Sequence, residues 1–158
     1  MLELCVQRVF TAAELPADKD FKCWLEAVLK DRRQQAVITL RIVDEAESAQ
    51  LNHQYRDKNQ STNVLSFPAE HELFPGLSVQ QLAELEKQLG DLVICAPVVK
   101  LEAVEQGKSL YDHWAHLLIH GCLHLLGYDH VTEDQAAVME TIEIKILAGM
   151  GIANPYCS

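Results

Sequence analysis

Residues 120–130 read HGCLHLLGYDH, and this segment constrains the fold more tightly than any other. A four-residue step turns an α-helix by about 40°, so His120 and His124 project side by side from one face. A third histidine six residues further on would sit almost two turns away if the helix continued. Gly127 is placed to end it, because glycine adopts the left-handed backbone that turns a chain back. His130 then approaches from the return stroke. Three neutral imidazoles suit zinc and leave a fourth tetrahedral position open, as catalytic sites do; a structural site would want a fourth protein ligand. The expectation is one divalent ion per chain, zinc, on His120, His124 and His130. Nickel, copper and iron also accept imidazole, so other metals remain open.

The chain around this segment predicts one domain, residues 1–158. Leu2 to Phe10 reads as a strand. Asp18 to Asp31 places Phe21, Trp24, Leu25, Val28 and Leu29 on one helical face. Val37 to Val43 alternates and is rich in β-branched residues, a strand, and Asp44 can cap a helix running through Leu51 and Tyr55. Thr62 to Phe67 reads as a short strand closed by Pro68, residues 69–90 as a loop and a short helix, and Asp91 to Cys95 as a buried strand. Ala96 to Gln106 is a helix ended by Gly107. Trp114 to Leu126 is the metal helix, metzincin-like in spacing, and Glu133 to Ala148 a last helix stopped by Gly149. Strands come mostly early and helices mostly late, which predicts an α+β or mixed α/β fold: a central four-stranded sheet flanked by about five helices.

The chain shows no basic head followed by a long apolar run, and no apolar stretch reaches membrane-span length. Its five cysteines are odd in number, widely spaced and without CxxC, which argues against a disulfide framework and for a reducing compartment, the cytoplasm. Net charge is −10, unevenly spread. Met1 to Pro68 holds nine Lys and Arg against ten Asp and Glu, and Ala69 to Ser158 holds four against thirteen. Phosphate binding is driven by clustered cations, so DNA is not an expected partner and any RNA contact falls to the first half.

The spacing HxxxHxxGxxH is that of the metzincin proteases, whose second position is a Glu acting as general base. Here it is Gly121, which has no side chain to accept a proton. Phosphodiester hydrolysis stays open, because a bound metal lowers the pKa of water to about 7 and polarises a phosphoryl oxygen. That chemistry wants a cation for the transition-state charge. The candidates are Arg56, whose planar fork can clamp a phosphate, and Lys58. His116 and His113 lie near the face of His120, as second contacts, as substrate contacts, or as polar residues on an exposed turn. Asp129 can orient a ligand imidazole or cap a turn. Cys122, two positions from His120, faces away into the core.

Taken together, these segments resemble the YbeY family. The resemblance rests on HGCLHLLGYDH, on Asn52, Tyr55-Arg56, Lys58 and Thr62-Asn63-Val64-Leu65-Ser66-Phe67-Pro68, on Leu89–Cys95, on His113-Trp114-Ala115-His116 and on Asn154-Pro155-Tyr156. It spans nearly the whole chain in order. It implies a zinc-dependent, single-strand-directed endoribonuclease, acting in maturation of the 3′ end of small-subunit (16S) rRNA and in ribosome quality control. The implied partners are rRNA, the small ribosomal subunit and ribosomal proteins, with no membrane. The resemblance maps metal ligands onto His120, His124 and His130 and the family's functional arginine onto Arg56. His116 is a further catalytic candidate, and Arg56 and Lys58 are substrate-binding candidates. Asp57 and Ser61 depart from the Gly and Pro of many members, which touches substrate affinity rather than the metal site. Two other readings compete: a peptidase-like metallohydrolase, and a non-enzymatic ribosome-associated factor with a structural metal.

Overall fold

In the computed structural model, the described residues are 1–56, 62–69 and 75–156, with the side chains of Tyr55 and Arg56 outside them. Along the chain run β1 (Leu2–Arg8), α1 (Asp18–Leu29), β2 (Ala36–Val43), α2 (Glu45–Arg56), β3 (Val64–Pro68), α3 (Val79–Lys87), β4 (Gln88–Cys95), α4 (Ala96–Gln106), α5 (Leu110–Leu125) and α6 (Glu133–Gly149). The sheet order is β1-β2-β4-β3. β1, β2 and β4 are parallel, and β3 pairs antiparallel with β4 at the edge, placing Ser66 opposite Leu92. The result is the expected α+β architecture on four strands, with six helices among the described residues.

Strand alternation sorts side chains between two cores. On one face Ala36, Ile38, Leu40 and Ile42 of β2 join Leu92 and Ile94 of β4, covered by α1 and α5. Phe21 and Trp24 of α1 and Trp114 of α5 fill this layer; the Phe21 and Trp114 ring centroids lie 5.5 Å apart. On the other face Val43, Leu65, Val93 and Cys95 form a smaller cluster with Leu51 of α2 and Val98 of α4.

Helix α5 is the central element. Ten of its sixteen residues are buried, including the expected Cys122. From His113 to Leu125 the residues left partly open are His116, His120 and His124, a stripe at four-residue spacing. Gly121 faces the sheet: a Cβ there would stand 2.9 Å from Leu92 Cδ2, 3.3 Å from Ser66 Oγ and 3.4 Å from Val64 Cγ2. The Ser66 hydroxyl donates to the Gly121 carbonyl at 3.2 Å. The missing side chain therefore serves close helix–sheet packing, and position 121 points into the core.

Several boundaries differ from the sequence expectation. β4 starts at Gln88, because pairing with Val37 of β2 extends it past the apolar run. α5 starts at Leu110, not Trp114, since Ser109 caps it by accepting from the Asp112 amide at 3.0 Å. α6 includes Gly149, and the turn comes at Gly151 (φ +75°), where the Ile152 amide donates to the Leu147 carbonyl at 2.9 Å. Asp44 caps α2 as expected, its Oδ1 accepting from the Glu47 amide at 2.9 Å.

The chain enters β3 through a clamp on α2. Buried Ser48 donates its hydroxyl proton to the Thr62 carbonyl at 3.0 Å, and its oxygen accepts from the Thr62 amide at 3.1 Å. Ser48→Ala strands both backbone groups and is expected to lower stability by about 1–3 kcal/mol, read from the urea midpoint at constant slope. Gly121→Glu, which restores the metzincin residue, is expected to cost about 3 kcal/mol or more by overpacking and by burying a charge. An unchanged urea midpoint in Gly121→Glu would show that position 121 does not face the sheet.

Candidate metal centre

The exposed stripe of α5 ends in a turn that the sequence anticipates. Gly127 takes φ +100°. Its amide donates to the His124 carbonyl at 3.0 Å, and the Tyr128 amide donates to the Leu123 carbonyl at 3.0 Å. This is the double hydrogen bond of a Schellman turn, and Tyr128 packs on the core as its hydrophobic partner. The chain is thereby turned back, and His130 arrives beside the two helical histidines. Asp129 does not hold the His130 ring: its Oδ1 accepts from the His130 backbone amide at 2.7 Å and lies 4.0 Å from Nδ1.

One ring nitrogen each from His120, His124 and His130 lies within 4.8 Å of the others. The Nε2 atoms of His120 and His124 are 3.1 Å apart. Two donors sharing a tetrahedral zinc at about 2.0–2.1 Å stand roughly 3.3 Å from each other. The three imidazoles are thus spaced to hold one metal ion. Burial, reinforced by the neighbouring His120 and His130, holds the His124 imidazole below the usual histidine range and so keeps it in the neutral, ligating form.

A second group, His116, His120 and Glu143, also gathers possible donors. Its spacing is that of hydrogen bonds: Glu143 lies 2.5 Å from Nδ1 of His120 and 2.9 Å from Nε2 of His116. These separations are shorter than donors around one ion adopt, so this group acts as hydrogen-bonded support for the candidate ligand His120. The Tyr156 hydroxyl also donates to Glu143. Burial alone would raise the Glu143 carboxyl, but hydrogen bonds from His116, His120 and Tyr156 outweigh it and hold it to about 2. The same arrangement pushes the Tyr156 phenol up, through burial and then the adjacent carboxylate.

Glu143 escaped the sequence reading. Its signal is a carboxylate at the centre of the buried α6 stripe Met139, Glu143, Leu147, at i, i+4 and i+8. His113 is not on an exposed turn. It is buried, and its Nε2 donates at 3.0 Å to Glu102, which also accepts from Asn63 at the start of β3 at 3.1 Å. His116 has Nε2 committed to Glu143 and Nδ1 buried without a partner. Its ring is therefore turned inward beside the carboxylate. Arg56 is the last residue of α2, and its side chain, like all of Lys58, lies outside the described residues.

A model of the family described as Endoribonuclease YbeY matches residues 7–151. Relatives named Endoribonuclease YbeY from Pseudomonas putida strain W619 and Pseudomonas entomophila strain L48 are each 52% identical over 156 residues, covering 99% of this chain and 94% of theirs. A relative of the same name from Pseudomonas fluorescens strain Pf-5 is 49% identical, covering 99% and 97%. The solution structure of TM1509 from Thermotoga maritima shares the fold, with a TM-score of 0.59 at 21% identity over 100% of this chain and 97% of that one. A histidine trio on a buried helix, in a sequence that matches these relatives nearly end to end, leaves one assignment: the chain belongs to the YbeY family.

Proposed function

We propose that this protein is a zinc-dependent endoribonuclease that cuts single-stranded RNA, acting in maturation of the 3′ end of small-subunit rRNA and in ribosome quality control. The observation that carries the reading is the convergence of His120, His124 and His130 donor atoms within 4.8 Å on a chain of this family. When bound, a divalent ion there supplies Lewis-acid activation of water and of a phosphoryl oxygen.

The chain's own residues supply the rest. His120 and His124 are held rigidly by a helix packed on the sheet, so the donors are placed before metal or RNA arrives. No general base stands at position 121, which separates this site from metzincin peptidases. Arg56 closes α2, the Ser48 clamp holds Thr62, and Lys58 falls between them in the sequence. We assign those two residues to the RNA phosphates. The balance of −9 after Pro68 leaves backbone attraction to this first-half segment and to the metal. Among the described residues no helix is long and apolar enough to cross a membrane, and a cytoplasmic ribosomal substrate fits that.

The test is metal analysis of purified protein together with cleavage of a single-stranded RNA bearing the small-subunit 3′ region. Wild type is expected to retain zinc at one ion per chain and to cut, while His124→Ala and Arg56→Ala each lose about 100-fold or more in rate with unchanged circular dichroism. Wild-type cleavage rates in His124→Ala would overturn the assignment. Loss of melting temperature on chelation without any RNA cleavage would favour a structural metal in a ribosome-associated factor.

A further inference from the structure

A neutral imidazole carries one proton and offers one lone pair, so His120 can present Nε2 to a metal only when its proton sits on Nδ1. Nothing in the isolated side chain makes that choice. In the folded chain Nδ1 of His120 donates to Glu143 Oε1 at 2.5 Å, and Glu143 is wholly buried. The other carboxylate oxygen is taken twice: Oε2 accepts from Nε2 of His116 at 2.9 Å and from the Tyr156 hydroxyl. With Oε2 occupied on both sides, the carboxylate is oriented so that, among the described residues, Oε1 faces His120. The unpartnered, buried Nδ1 of His116 agrees with its proton lying on Nε2.

Tyr156 reaches this point from beyond α6. The chain turns at Gly151, and the Tyr156 amide donates to Asn154 Oδ1 at 2.8 Å, a tight local turn that brings the phenol back over Glu143. The Tyr156 ring stands edge-on to His116 at 5.4 Å between centroids. One carboxylate thus ties α5, α6 and the C-terminal segment together at the first histidine of the trio.

We propose that Glu143 is a positioning residue that selects the metal-ready tautomer of His120, and that His116 and Tyr156 act through it as a latch on its second oxygen. The value of this arrangement rests on the metal reading above, but the tautomer is a property of the metal-free protein. Carboxylate support of a ligating imidazole fixes ring orientation and raises ligand basicity, and its loss weakens metal affinity about 10–100-fold.

Two measurements decide it. Long-range nitrogen–proton NMR of the histidine rings, taken on metal-free full-length protein, is expected to show His120 protonated on Nδ1 in wild type and a shift of that population in Glu143→Ala. Zinc affinity, measured by competition with a chromophoric chelator, is expected to fall about 10–100-fold in Glu143→Ala. A smaller loss is expected in Tyr156→Phe, and partial recovery in Glu143→Gln, which keeps a carbonyl acceptor for His120. Tyr156→Phe removes a single oxygen from a partly exposed residue and keeps the test decisive should Glu143→Ala fail to fold. A His120 proton on Nε2 in wild type overturns the inference, as does zinc affinity in Tyr156→Phe equal to wild type. Failure of wild type to bind zinc would instead overturn the metal reading, with the tautomer still decided by the NMR measurement.

Discussion

Helix α5 is packed against the sheet along Trp114, Leu118, Ile119 and Cys122, with Gly121 letting its backbone come close to β3 and β4. A helix buried on nearly every side has little room for polar groups, because each needs a partner or water. From His113 to Leu125, His116, His120 and His124 occupy the stripe left partly open, and His113, one turn before it, is buried on Glu102. The rigidity that the core imparts to α5 is what makes the spacing of its imidazoles meaningful. His120 and His124 take their positions from that helix, whereas His130 is brought in by the turn at Gly127.

Polar satisfaction then radiates from that stripe. Glu143 projects from α6 into an apolar layer, which is tolerable for an ionised carboxylate only because three donors converge on it. The same three bonds fasten α6 and the C-terminal segment to α5. Stability and site geometry therefore share their hydrogen bonds: the contacts that make a buried charge affordable also orient His120. Nearer the start of α5, Glu102 plays a comparable part, joining His113 to Asn63 at the head of β3.

Local pattern was legible where one physical signal dominated. The amphipathic face of α1, the alternation of β2, the Asp44 cap and the Gly127 turn each follow from residues within a few positions. Expectations slipped where a partner far along the chain decided the outcome. β4 begins at Gln88 because β2 lies alongside it, not because Gln88-Leu89-Gly90 has strand character of its own. For His113 the sequence leaves supporting contact, substrate contact and exposed turn all open, and only Glu102 of another helix, brought beside it, decides for a buried hydrogen bond.

The sequence by itself determined the histidine trio, since the four-residue step of a helix and a glycine able to take positive φ are local properties of residues 120–130. It also determined that position 121 carries no base. Why that position is glycine, and what steadies His120, only the tertiary structure decided. Both depend on residues brought together from elsewhere: Val64, Ser66 and Leu92 beneath Gly121, and Glu143 with Tyr156 beside His120. A buried carboxylate finds its donors through packing of whole helices, and no spacing along the chain encodes that meeting.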